Sequence, residues 1–345
     1  MYDLSHASDG PEMRRPFTLI DLFAGAGLFS AGLMKAGFRP VLAVDAAADA
    51  VASYNRNVAP CAVKGSVVVT KGVRPCDVLV AGPPCQGFST LGRRDPTDVR
   101  NSLGLAILPW VEASRPLLVV VENVPPFLRS KQWRQMADGL AGLGYSDVTT
   151  WELDAADFGT PQRRKRAFTI ASLIGPVAPP EPGRRNMSAG RAIMVPPPSD
   201  GDPMHVWPVK TGKAAARIAM VPPRGGRRDL VRQCPELCPP SWIKLGGDAT
   251  DVYGRIDPDV PSNTLRCEFL NPSKGRYIHP YEDRVLSLRE GARLQGVPDD
   301  WVFEGKPWQV ARQIGNGVPL PLGRAVGTVL ARALKDHLAR QPVAA

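Results

Sequence analysis

Long apolar runs are missing from this 345-residue chain: none approaches the roughly 18 to 20 residues that span a bilayer. The opening MYDLSHASDGPEMRRP has no apolar stretch behind a basic head, so a frayed polar end is expected there rather than a secretory signal. A cytoplasmic protein with no membrane partner is expected, its six cysteines free thiols in a reducing compartment. Cys234 and Cys238 are spaced like half a zinc site. No second cysteine or histidine pair stands near to complete the roughly four ligands such a site needs, so no metal is expected. Internal repeats are also missing, which excludes stacked-repeat architectures. What the chain has in excess is positive charge. A net charge of +10 and a pI of about 9.5 suit a polyanionic partner. Basic clusters recur at Arg93–Arg94, Arg163 to Arg166, Arg184–Arg185 and Arg224 to Arg228, all in or beside segments that read as loops. A merely basic surface is the plainer alternative; the clustering favours nucleic acid.

Strand and helix signals alternate through the first 172 residues. FTLIDLF is an apolar run ending in an acid and a turn, and AGAGLFSAGLMKAG enters a helix through glycines. RPVLAVD, CDVLVAG and PLLVVVENV read as further strands, with helices in AADAVASYNRNV, from about Ser102 to Ala113, and from about Lys131 to Leu143. Strands near Asp147 to Asp154 and Ala167 to Ser172 complete the series. This rhythm predicts an α/β, Rossmann-like, mostly parallel sheet with helices on both faces. From Leu173 to Asp251 proline and glycine crowd in and helical periodicity almost disappears, while Trp207, Trp242 and Tyr253 supply core material. A smaller loop-rich domain is expected there rather than a linker. Order returns in SLREGARLQGV, a helix opened by a capping box of Ser287 and Glu290, and in an amphipathic terminal helix. The expected divisions are a tail at 1–15, a catalytic and cofactor-binding domain at 16–172, a second domain at 173–280, and a C-terminal segment at 281–345 returning to the first.

Phe23, Gly25 and Gly27 lie in the turn after the first strand, and Asp45 ends the second strand. Glycine turns at that place let backbone N–H groups approach a nucleotide, and a carboxylate some twenty residues on can accept from ribose hydroxyls. A rival reading makes Asp45 the N-cap of a helix beginning at Ala46. A dinucleotide fingerprint needs a third small residue to seat the pyrophosphate, and Gly25, Gly27 and Gly32 fall at the wrong interval. The aromatic ring of Phe23 suits a flatter, less anionic ligand, for which S-adenosylmethionine fits better than NAD.

Cys85 stands in AGPPCQGFS, behind two prolines at the carboxyl end of the CDVLV strand. A buried structural thiol is the ordinary alternative, but prolines and a glycine stiffen a loop rather than fill a core. A thiolate of lowered pKa is a strong nucleophile, and nearby arginines would lower it. Glu122 ends the adjacent strand at the same sheet edge. A thiol and a carboxyl at neighbouring strand ends, beside a nucleotide pocket, suggest covalent catalysis with acid assistance.

DLFAGAGLFSAGL, GPPCQGFS, VVVENV, FGTPQRRKRAF, REGARLQGVPDDW and QIGNGVPLPLGRAVG, in this order, resemble the motif series of DNA cytosine-5 methyltransferases, from about Phe17 to Leu334 around a variable middle. The resemblance implies transfer of a methyl group from S-adenosylmethionine to C5 of a flipped cytosine in a specific double-stranded DNA sequence. It implies that Cys85 attacks C6, that Glu122 holds and protonates N3, and that Arg166 and Arg164 hold O2, with Arg163 and Lys165 facing phosphate or solvent. It puts Phe23, Gly25, Gly27 and Asp45 on the cofactor, Pro84 and the helix containing Leu103 beside the adenine, and Asn316 at the methionine end. S-adenosylhomocysteine is then the product. Residues 173–280 would be the target-recognition domain.

Four positions depart from that pattern. Ser66 stands where an acid usually reads the adenine amino group, and Asp45 where glutamate is commoner. Ala46 replaces a larger apolar residue, and Gly317 replaces serine or alanine. A monomer is expected, cytoplasmic and associated with the bacterial nucleoid, with a cognate restriction endonuclease as a candidate partner. The competing readings are a relative acting on RNA, a non-catalytic DNA-binding relative, and an oxidoreductase with a redox thiol.

Overall fold

The computed structural model describes residues 15–70, 73–84, 99–183, 187–244 and 251–341. Seven strands form one sheet: β1 (Phe17–Leu22), β2 (Phe38–Asp45), β3 (Ala62–Lys64), β4 (Val78–Ala81), β5 (Leu118–Asn123), β6 (Asp147–Asp154) and β7 (Lys165–Ser172). Their spatial order is β3-β2-β1-β4-β5-β7-β6. The first five run parallel, and β7 lies antiparallel between β5 and β6. Parallel neighbours need a crossover connection, whereas the direct link from β6 to β7 permits the antiparallel pair.

Helices α1 (Leu28–Met34), α2 (Ala48–Asn57), α3 (Leu108–Ser114) and α4 (Lys131–Gly142) supply the first covers. Side chains alternate across β1, as strand geometry requires: Leu19 faces one side, Ile20 and Leu22 the other. Ile20 and Leu22 pack in a core with Trp110 and Val111 of α3 and Met136 and Leu140 of α4. Tyr54 of α2 covers Ala43 and Ala62 near the β3 edge.

Between Leu173 and Asp251, where helical periodicity looked nearly absent, the described residues form four α-helices: α5 (Ala189–Met194), α6 (Gly212–Met220), α7 (Arg227–Gln233) and α8 (Pro240–Lys244). Each has only five to nine residues, so an apolar stripe has little length in which to repeat. Ile218, Val221, Leu230, Tyr253, Ile278 and Val285 form a small separate core, so this unit closes on Val285. Ala189, Ile193 and Met204 instead join a core with Leu288, Ala292 and Trp301 of the C-terminal segment.

That segment carries α9 (Leu288–Leu294), α10 (Pro307–Asn316) and α11 (Leu320–Arg340). The capping box at α9 is formed: Ser287 Oγ accepts from Glu290 N at 3.1 Å, and Ser287 N donates to Glu290 Oε2 at 2.7 Å. Helix α11 returns to the Leu19 face, where Leu322, Val326, Leu330 and Leu334 meet Phe29 and Leu33 of α1. A Cβ on Gly32 would lie 2.8 Å from the backbone of Gly323, so the two helices cross at a distance that only glycine permits there.

Candidate active site

Strands β1, β2, β4 and β5 all deliver their carboxyl ends to one edge, where open α/β sheets bind ligands. Glu122, near the end of β5, is buried, and Arg166 of β7 pairs with it, Nε to Oε1 at 2.7 Å. The antiparallel register explains the meeting, since Glu122 faces Phe168 and Arg166, two residues before it, lies on the same face of β7. Burial pushes the Glu122 carboxyl above its ordinary range, against the opposing pull of Arg166 and, next, Arg164. The chain leaving β4 passes this carboxylate closely: a Cβ on Gly82 would be 3.5 Å from Oε2. Asn123 Nδ2 then donates to Pro83 O at 3.2 Å, tethering the proline pair to β5. Cys85 lies outside the described residues, as do the arginine pairs 93–94 and 184–185.

Arg164 is engaged with the protein's own backbone. It is fully buried, with Nη1 donating to Leu265 O at 2.9 Å and Nη2 to Gly315 O at 2.7 Å. Its backbone N donates to Asp154 Oδ1 at 2.8 Å. It stands immediately before β7, which begins at Lys165, and its charge still acts on Glu122. Arg163 and Lys165 are exposed, as expected.

The glycine turn is strained in the way a ligand loop is. Phe23 has a φ of 58°, and Gly25 and Gly27 have φ of 55° and 83°. A Cβ on Gly25 would meet nothing within 4 Å, whereas one on Gly27 would strike Tyr54 and Val58 at 2.6 Å. Asp45 Oδ2 accepts from Gly25 N at 2.8 Å and Oδ1 from Ala47 N at 2.8 Å. The carboxylate thus fixes the glycine turn as well as its own local turn. The residue at the N-cap of α2 is Ala47. Next along the edge, Gly65 N donates to Asp45 O at 2.9 Å, and Ser66 is exposed with its Oγ accepting from Val68 N at 3.3 Å.

Pro84 and Leu103 are half-buried. Asn316, the last residue of α10, is exposed, and its Oδ1 accepts from Cys267 Sγ at 2.8 Å. The glycine at 317 has a physical reason: a Cβ there would come within 2.5 Å of Leu28 at the start of α1.

Two features had no role in the sequence reading. Cys267 reaches Asn316 across 49 residues. Asp21, also buried, accepts from Ser30 Oγ at 2.6 Å, and Ser30 Oγ in turn accepts from Tyr54 OH at 2.9 Å. Burial raises Asp21 to about 7, opposed by the Ser30 bond and reinforced by the charge of Asp45. An acid at the end of an otherwise apolar strand was the available signal. Among the described residues no group of three or more His, Cys, Asp or Glu side chains is arranged to hold a metal. Cys238 Sγ instead donates to Cys234 O at 3.6 Å.

A seven-stranded α/β sheet of this order, with a glycine turn, an acid on the neighbouring strand and a buried Glu–Arg pair at one edge, defines a Rossmann-like methyltransferase fold. The family model for C-5 cytosine-specific DNA methylase matches residues 17–179 and 241–332, and the chain belongs to that family. Type II methyltransferase M.XorII of Xanthomonas oryzae pv. oryzae is 33% identical, over 94% of this chain and 86% of that protein. Type II methyltransferase M.Eco47II of Escherichia coli is 32% identical, over 90% of this chain and 78% of that one. The Schizosaccharomyces pombe Dnmt2 methyltransferase structure shares the fold, with a TM-score of 0.59 and 18% identity over 93% of this chain and 99% of that one. The protein is a DNA (cytosine-5-)-methyltransferase: it transfers a methyl group from S-adenosylmethionine to C5 of cytosine in DNA.

Proposed function

We propose that the transfer runs through Cys85, Glu122 and Arg166 on a cytosine flipped out of a specific double-stranded site. The observation that carries this reading is the buried 2.7 Å pair of Glu122 and Arg166 beneath the tethered prolines that lead to Cys85. A carboxyl whose pKa burial raises takes up a proton more readily than an exposed one, and cytosine N3 needs a proton as a nucleophile arrives at C6. The Cys85 thiolate adds to C6, the ring electrons move toward C5 and N3, and Glu122 protonates N3. Arg166, fixed by Glu122, binds O2 and offsets the charge developing there. C5 takes the methyl group; loss of its proton and elimination of the thiolate then restore the aromatic ring. Arg164 acts as a positioning residue, holding the loops of Leu265 and Gly315 against the start of β7.

The cofactor supplies an electrophilic methyl on a sulfonium. The residues fit such a group: the space above Gly25 is open, and Asp45 keeps lone pairs free for ribose hydroxyls beyond its two backbone bonds. Phe23, Gly27, Ser66, Pro84, Leu103 and Asn316 complete the proposed contacts. Residues 173–280 choose the DNA sequence through base-edge contacts. The names of the Type II relatives support a restriction endonuclease as partner; the enzyme is proposed to work as a monomer, in the cytoplasm, on nucleoid DNA.

Trapping tests the chemistry. Fluorine at C5 cannot leave as a cation, so a duplex carrying 5-fluorocytosine at the target should give a complex that survives denaturing electrophoresis once S-adenosylmethionine is added. Cys85→Ser should abolish it. Equal trapping by that variant, or trapping on RNA alone, would overturn the proposal.

A further inference from the structure

The run VPPRGGRRD holds one of the basic clusters of the sequence, and its arginines are placed differently in the structure. Arg227 is buried, whereas Arg224 is exposed in a loop between two prolines and two glycines. Its φ of 57° lies in the left-handed region, which a residue other than glycine adopts at a cost. The surroundings impose that conformation. Gly225 N donates to Pro222 O at 2.9 Å, closing the turn, and Arg255 N donates to Gly225 O at 3.0 Å. Arg276 Nη1 donates to the carbonyls of Arg224, Gly225 and Arg255 at 3.1, 2.9 and 2.7 Å.

The side chain is fixed as firmly as the backbone. Arg224 Nε donates to Asp257 Oδ1 at 3.1 Å, and Nη2 pairs with Asp259 Oδ2. Asp257 Oδ1 also accepts from Asp259 N at 3.1 Å, so a local turn holds the acids in place. The acids take the Nε side of the guanidinium and leave its outer edge, with one N–H from each Nη, for a partner. An exposed ion pair adds little stability, so a strained loop that presents one has its use elsewhere. The loop is also tied to the chemistry. Asp259 is three residues, at most about 11 Å, from Ser262. Ser262 N donates to Pro161 O at 3.0 Å, and Arg163 N to Ser262 O at 2.8 Å, in the run that leads to Arg166. Successive bases add about 3.4 Å along a strand, so Arg224 is within reach of a base pair a few steps from a cytosine seated at Glu122.

Resting on the reading that residues 173–280 choose the DNA sequence, we infer that Arg224 reads a guanine in the major groove, braced by Asp257 and Asp259. The outer edge of the guanidinium matches O6 and N7 of guanine, two acceptors side by side. Phosphate offers acceptors too, but the brace turns it away. One guanidinium between two carboxylates leaves an excess of one negative charge, which repels a phosphate and leaves a neutral base edge unopposed. A fork held in a fixed direction also loses less rotamer freedom when it binds. The acids thus lower affinity for DNA at large and raise selectivity for one base pair.

Methylation of a duplex library of randomised sequence by the full-length protein, followed by sequencing of the 5-methylcytosine products, tests this. Arg224→Gly suits the left-handed backbone and so keeps the loop folded. It should relax the methylated sequence at one G·C pair, lowering discrimination there by about 5- to 150-fold, while the other positions hold. Asp257→Asn combined with Asp259→Asn should free the arginine for phosphate. Binding to the random duplex should then tighten, its logarithm should fall more steeply with the logarithm of salt by about one, and preference at the same pair should weaken. Uniformly weaker binding by Arg224→Gly, with a shallower salt slope and an unchanged methylated sequence, would make Arg224 a phosphate contact and overturn the inference. So would relaxation at an A·T pair, or a methylated sequence unchanged in both variants. If substitutions elsewhere in residues 173–280 still shift the sequence, only the inference falls; if none does, the recognition role of the region falls with it.

Discussion

The sheet edge and the small unit closing on Val285 use charge in opposite ways. At the edge, Asp45 and the Glu122–Arg166 pair stand at strand ends, where open α/β sheets bind ligands. In the small unit, arginine is construction material. Arg255 is buried and donates to the carbonyls of Val221, His279, Glu282 and Ile218 and to Asp283. Arg284 pairs with Glu290 and Glu282 and lies 4.1 Å from the Trp207 ring centre. The unit has few apolar side chains to bury, and guanidinium groups that satisfy several carbonyls at once take up that deficit. A basic composition is therefore a poor measure of how much cation faces DNA.

Substitutions on each side should separate the two uses. Glu122→Gln keeps the shape and removes the acid, so methyl transfer should fall by about 10²- to 10⁴-fold in a filter assay while the melting temperature holds. A matching fall in melting temperature would erase the contrast. Arg255→Ala should do the reverse, costing about 1 to 3 kcal/mol in denaturant unfolding because it leaves buried carbonyls without a donor. Closer together, Arg166→Lys and Arg164→Lys sharpen the comparison within one run of sequence. The first should lower turnover with little change in stability; the second should lower stability and cofactor affinity, because lysine cannot fork between Leu265 and Gly315. Identical profiles would mean that the two arginines share a role. The smallest effect belongs to exposed Arg163: Arg163→Ala should reduce the slope of DNA affinity against salt by about one and leave sequence preference intact.

Much of the sheet was legible because its strands are apolar runs buried on both faces and punctuated by glycine, proline and acids. The positions of Asp45 and Glu122 at that edge were legible for the same reason, since parallel strand ends in such a sheet share one edge, whereas Arg166 entered only through the resemblance. The burial of Arg164 was not legible, because a single residue between a loop and a strand start decides which way a side chain faces. The Asp21–Ser30–Tyr54 chain was hidden for another reason: it joins a strand and two helices through hydroxyls that no periodicity marks. The short helices between Ala189 and Lys244 were hidden because each ends before a second repeat of its pattern.

The contact of Gly32 with Gly323 has a consequence for how the enzyme is made. Helix α1, which the cofactor turn enters, leaves the ribosome early, yet the partner that closes its outer face emerges only with α11. A nascent chain can thread most of its sheet while Phe29 and Leu33 still lack their cover. Closure of the proposed donor site therefore arrives late in synthesis, after residues 173–280 have been made. Truncated products of interrupted translation lack the cover that α11 gives to α1, and should leave DNA unmethylated.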